Sequence, residues 1–169
     1  LVCHPQMVED ALHALEGRRT NTMALTGLIA VLFVGVTGSL AALGDTLYPA
    51  HNLLNAISQD FTPGSDWLVR IRWLHPAFSL IAGVFIVWLV ARGLRRVETR
   101  GLAILVLGLL GLQYLLGLAD ITPLAPTWLQ MTHLLGADLL WIALVLLAAR
   151  LCLVPAAAPA ETAPSPLPG

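Results

Sequence analysis

Two histidines, His75 and His133, are the residues of this sequence best suited to chemistry. Each lies in a long apolar run, where a polar side chain is costly and asks for a reason. Near neutral pH an imidazole offers a lone pair to a metal or carries a proton. On a helix, the residues at i+3, i+4, i+7 and i+8 lie beneath the residue at i. The face below His75 therefore holds Ser79, Ala82 and Gly83, and the face below His133 holds Gly136 and Ala137. Small side chains there would let a flat group lie against the backbone. Two histidines on different helices at one level can take the two faces of a haem iron. Gly83 and Gly136 would bed the macrocycle, and Arg70 and Arg72 would meet its propionates, since a guanidinium pairs well with a carboxylate. The same residues admit a plainer reading. A histidine near a helix end often serves only as an interfacial hydrogen-bonding group, small residues pack helices together, and arginines snorkel to lipid phosphate. Spacing alone leaves both readings open.

The remaining polar residues are weaker candidates. Asp138 is an acid well inside an apolar run. It follows His133 by five residues, about 140° round a helix, and so does not share the histidine's face. A hydrogen bond to a neighbouring helix suits it better than proton handling. Gln113 and Gln130 read as interhelical glue. His51 falls in a polar link, and His4 and His13 precede the first apolar run, so none of the three is expected to ligate. Cys3 and Cys152 are too far apart in sequence for a metal motif.

The elements that must position the histidines are long helices. Of the 169 residues only 11% are charged and 57% are hydrophobic, too little charge to cover a soluble surface. The mean hydropathy is +0.81. Four segments of roughly 20 residues, the length that crosses ~30 Å of hydrocarbon as a helix, run over residues 23–43, 73–92, 101–119 and 128–150. Backbone polar groups must be satisfied within lipid, so these are helices rather than open strands. All nine basic residues are arginine. Arg18, Arg19, Arg92, Arg95, Arg96, Arg100 and Arg150 flank one side, and only Arg70 and Arg72 the other, so the positive-inside rule puts both termini in the cytoplasm. Trp67, Trp73 and Trp128 fall at the opposite, outer boundary, where amphipathic rings gather. Both histidine-bearing helices enter from that side, which sets the imidazoles within roughly 5 Å of one level along the membrane normal. Short links imply antiparallel neighbours. The fold expected is thus an all-α integral membrane protein, an antiparallel four-helix bundle. It is preceded by a cytoplasmic segment, residues 1–22, in which Val8–Glu16 has weakly amphipathic spacing. An Ala/Pro-rich tail, residues 151–169, is unable to bury a core and is expected to be disordered. A structural disulfide is not expected on the cytoplasmic side. The net charge of −1 gives no ground for a nucleic-acid partner.

Four strings carry a resemblance. TGSLAALGDTLYPA (37–50), RIRWLHP (70–76), LQYLLGLADITPLAP (112–126) and LQMTHLLGADLLW (129–141) together resemble the carboxy-terminal half of haem A synthases, in the right order from about Thr22 to Arg150. That family's full-length members have eight transmembrane helices in two similar halves. They oxidise a methyl group of haem O to the formyl group of haem A for terminal oxidases. The resemblance implies that His75 and His133 match the pair that holds a haem b cofactor. It also implies that the substrate haem O belongs to the amino-terminal half, which has a catalytic glutamate one turn before its first histidine. Here that position is Arg72, no glutamate lies in an outer-side span, and the cysteine-bearing outer loop common in that half is absent. The chain thus looks like the cofactor half, and the departure together with a first residue Leu1 rather than Met is expected of a fragment. Half-length members of the family associate as dimers, so a homo-oligomer fits as well.

Three functional readings are open, the first of them implied by the resemblance. The first is the haem b half of a haem A synthase, an oxidoreductase of a prokaryotic inner membrane. Its partners are the lipid bilayer, a haem O synthase and an electron donor or acceptor protein. The second is a stand-alone b-type cytochrome, against which counts the lack of histidine in the inner halves of the spans. The third is a non-enzymatic assembly protein whose histidines are merely interfacial.

Overall fold

The apolar runs form helices, each longer than the hydrocarbon it must cross. The computed structural model describes residues 5–120 and 127–153, with side chains at 12, 14–120 and 127–152. Its elements are α1 (Pro5–Leu47), α2 (Leu53–Phe61), α3 (Trp67–Arg70), α4 (Leu74–Leu94), α5 (Val97–Asp120) and α6 (Thr127–Leu153). Among the described residues there is no strand. Four stretches are long and apolar enough to span a membrane: Ala14–Leu47, Trp67–Leu94, Val97–Asp120 and Thr127–Cys152. The expected spans fall inside these. The weakly amphipathic segment at Val8–Glu16 is not a separate surface helix, because α1 runs through it unbroken. Leu, Ala and Val without an internal proline give the backbone no reason to stop. The expected tail and the turn between α5 and α6 fall largely outside the described residues.

The direction of each helix follows from its end contacts. At one end Glu16 of α1 approaches Arg92 of α4 at 3.8 Å, and Arg96 donates to the Leu151 carbonyl of α6. At the other, α1 meets α4 where Val34 and Gly38 lie against His75. Gly117 of α5 lies against His133 of α6 at this end too. Neighbours are therefore antiparallel. α1 packs on α4, α4 on α5 and α5 on α6, while α1 and α6 close the ring more lightly.

The bundle centre is made by Leu89, Val106, Leu144 and Leu147, all fully buried. Lipid tails are as apolar as these side chains, so contact between helices is held by close packing rather than by escape from water. Gly93 shows how close: a Cβ there would stand 2.9 Å from both the Ala103 Cβ and the Leu147 Cδ1. Leu80, Val84, Leu115, Leu118 and Ile142 point outward, as lipid-facing positions require.

The link between α1 and α4 is not featureless. Pro49 follows the end of α1, where a helix stops readily. Asn52 caps α2, its side chain accepting from the Asn55 N–H at 2.8 Å, and Asp66 caps α3 by accepting from Leu68 at 2.9 Å. Pro76 sits in the first turn of α4, where a missing N–H costs little. At the opposite end Thr99 Oγ1 donates to the Gly93 carbonyl at 2.8 Å and closes the tight turn from α4 to α5.

Candidate functional site

His75 lies in the first turn of α4 and His133 in the second turn of α6, so antiparallel packing brings them to the same end. Their ring centroids are 6.5 Å apart and the ring planes are nearly perpendicular, at 82°. Both side chains are half-buried. His75 Nδ1 lies 3.1 Å from the Val34 carbonyl oxygen of α1. A carbonyl only accepts, so Nδ1 carries the proton and the Nε2 lone pair is left free. This is the arrangement in which imidazole serves as a ligand, the second nitrogen fixing ring and tautomer.

The rings are backed by glycines. A Cβ at Gly38 of α1 would stand 2.9 Å from His75 Cε1 and 3.0 Å from its Nδ1, and one at Gly117 of α5 would stand 3.4 Å from His133 Cε1. Neither glycine was singled out by the sequence. Both lie in the strings TGSLAALGDTLYPA and LQYLLGLADITPLAP, but nothing in a single helix's own spacing says which glycine meets a histidine of another.

Arg72 turns away from the histidines. Its side chain is 9% exposed and pairs with Asp45, while Asp60 Oδ1 takes bonds from Nε at 3.0 Å and Nη2 at 2.8 Å. The Ala56 carbonyl and Gln59 Oε1 lie 3.4 Å from Nη2. A guanidinium so shared ties α2 to the bundle, and a propionate there would compete with two aspartates. Arg70 is exposed, in a surface groove with Asp60, Phe61, Trp67, Ile71 and Trp73. It makes no ion pair among the described residues.

Gly83 and Gly136 do not offer open bedding. A Cβ at Gly83 would run into the Tyr114 hydroxyl, and one at Gly136 into the Gln113 amide. Tyr114 donates to the Ser79 carbonyl at 2.9 Å. The Gln113 amide, oriented to satisfy its neighbours, donates to the His133 carbonyl at 3.1 Å and accepts from the Ala137 N–H at 3.0 Å. Gln113 is thus interhelical glue, at the level of the histidines. Asp138 and Gln130 are both exposed. The Asp138 carboxylate has no hydrogen bond to a neighbouring helix among the described residues, and His51 lies exposed in the α1–α2 link. Asp120, which spacing gave no reason to favour, ends α5 at the histidine end of the bundle. Its Oδ1 is buried and has no hydrogen-bond partner among the described residues. Outside the spans, the exposed Tyr48 hydroxyl has its pKa raised by a hydrogen bond to the Asp66 carboxylate. Among the described residues no three His, Cys, Asp or Glu side chains gather as a self-contained metal cluster. A histidine pair instead suits a metal that brings its own equatorial ligands.

Residues 3–145 match the cytochrome oxidase assembly protein family. A protohaem IX farnesyltransferase of Thermus thermophilus is 41% identical over 138 residues, 79% of this chain and 23% of that protein. The protein of the same name in a second strain of that species is similar to the same extent. The chain spans about a quarter of the length of these relatives. A β-hexosaminidase of Stenotrophomonas maltophilia is 54% identical over only 48 residues, 27% of this chain and 14% of that enzyme. So short a stretch carries no argument about activity. No solved structure matches. The family match covers most of the chain, and the chain belongs to the cytochrome oxidase assembly proteins of the haem A synthase family.

Proposed function

We propose that this chain is the haem b cofactor half of a haem A synthase, with His75 and His133 as the axial ligands of one haem. The observation that carries the reading is the histidine pair, 6.5 Å between ring centroids. Two metal–imidazole bonds of about 2 Å each, together with two half-rings, would span a separation of that order. The tie from His75 Nδ1 to the Val34 carbonyl supports it further, as do the recesses at Gly38 and Gly117. A haem held by two neutral imidazoles supplies an electron-transfer centre or structural support, with no open position for oxygen. This chain's own part is to hold both rings, leave the Nε2 of His75 deprotonated, and close the apolar sides of the site. Arg70 is the guanidinium left to meet a propionate, since Arg72 is engaged by Asp45 and Asp60. Gly83 and Gly136 serve the site through the side chains they admit.

In this reading the oxidation of haem O to haem A belongs to another half or partner chain, because no residue here takes the place of the family's glutamate. Both termini lie in the cytoplasm of a prokaryotic cell, and the histidine end faces outward. A haem O synthase is the natural neighbour. A Thermus protein named for protohaem farnesylation contains, within a much longer chain, a segment similar to this one. The deciding experiment is to purify the protein from haem-replete cells in mild detergent, record oxidised and reduced spectra, and extract the pigment. One low-spin haem b per chain, lost in His75→Ala and in His133→Ala, is expected. Folded protein without haem would sink the reading. Haem O or haem A instead would reassign this half to substrate or product.

A further inference from the structure

The two helices that carry the histidines are held together below them by adjacent residues of a third. Gln113 and Tyr114 are consecutive on α5, and consecutive helical residues diverge by about 100°. That divergence lets one reach α6 and the other α4. Gln113 is 9% exposed and lies where the Gly136 side chain would be. Its amide engages the His133 carbonyl and the Ala137 N–H, two groups that an ordinary helical turn pairs with each other. Tyr114 lies over Gly83 and donates to the Ser79 carbonyl, one turn beyond His75. Each contact is a polar bond inside a membrane span, seated in a recess that only glycine leaves open. A side chain that reaches into the backbone of a helix bearing a ligand fixes the rotation of that helix as well as its distance.

We propose that Gln113 and Tyr114 are positioning residues, a two-pronged spacer on α5 that sets the separation and mutual tilt of His75 and His133. The proposal rests on the reading that these histidines ligate haem. It goes beyond that reading by naming what holds the pair at its spacing. Gly83 and Gly136 are then part of the device, since any larger residue would displace a prong. Groups that orient a metal's ligands change affinity by about 10–100-fold when removed. The sequence alone offered Gln113 as generic glue and no reason to pair it with Tyr114.

The test compares the purified wild-type protein with Gln113→Leu, Tyr114→Phe and Gly136→Ala. The readouts are haem retained per chain, the electron paramagnetic resonance g-values of the oxidised low-spin haem, and its midpoint potential. Haem retention at least about tenfold weaker is expected for Gln113→Leu. Altered g-values are expected in both Gln113→Leu and Tyr114→Phe, because ligand tilt has changed. Gln113→Glu, which when protonated keeps both a donor and an acceptor, is expected to restore the wild-type signature. Tyr114→Phe keeps the ring and tests the hydroxyl alone, so the proposal does not depend on a variant that fails to fold. Lower yield with unchanged g-values and potential in the retained haem would show a merely structural role and overturn the spacer. Wild-type protein without haem, or His75→Ala with full haem, would overturn the ligand assignment and the spacer with it.

Discussion

At the scale of single residues, the site depends on atoms that are absent. Gly38 leaves the room in which His75 reaches the Val34 carbonyl. Gly38→Ala puts a methyl group 2.9 Å from the ring, on a rigid helix that cannot yield it space. The ring must shift and lose its tie, so haem content is expected to fall by about tenfold or more, with helix content by circular dichroism unchanged. Gly117→Ala places its methyl 3.4 Å from His133, a contact that a few tenths of an ångström relieve. Its effect on haem content is expected to be much smaller. If Gly117→Ala proves the more damaging, the order of these two contacts is wrong.

At the scale of elements, α2 is the piece with least to hold it. It has no buried residue, and Leu54 and Phe61 on it are largely exposed. What joins it to the bundle is Arg72, shared between Asp45 at the end of α1 and Asp60 within α2. The Asp60 side chain is 17% exposed and would be left facing no cation, whereas Asp45 at 55% keeps water. Arg72→Ala is expected to cost about 2–3 kcal/mol, somewhat below a fully buried pair. It should also raise amide hydrogen exchange across Leu53–Phe61. Arg72→Lys should recover less than half, because one ammonium cannot span both carboxylates as a planar fork does. Unchanged exchange in Leu53–Phe61 would mean that α2 is held by its apolar face instead.

At the scale of the whole molecule, antiparallel packing separates a histidine end from an arginine-rich end. Cys152 lies exposed near the latter, beside the α4–α5 turn where Arg96 reaches α6. On the proposed topology, which rests on the arginine bias, that end faces the cytoplasm. In a Cys3→Ser background, an impermeant maleimide should therefore label Cys152 only after the membrane is permeabilised. Labelling in intact cells would invert the topology and put the haem site on the inner side.

Much of this arrangement is legible in sequence, for a local reason. A run of some twenty apolar residues in lipid must be helical to satisfy its own backbone, so the number and rough extent of the spans need no tertiary information. Short links then force antiparallel neighbours, and equal depth along two helices brings His75 and His133 to one end. The fate of the other polar groups was not legible. Arg72 has an isolated position beside the histidine, yet it turns to carboxylates 27 and 12 residues away. Gly83 and Gly136 have the spacing of a bed for a flat group, yet each recess holds a side chain of α5. Periodicity fixes the angle between residues of one helix. The rotation of each helix about its own axis is decided only when all four pack at once. That rotation chose Gly38 and Gly117 to back the histidines, and it turned Gln113 toward α6 and Tyr114 toward α4.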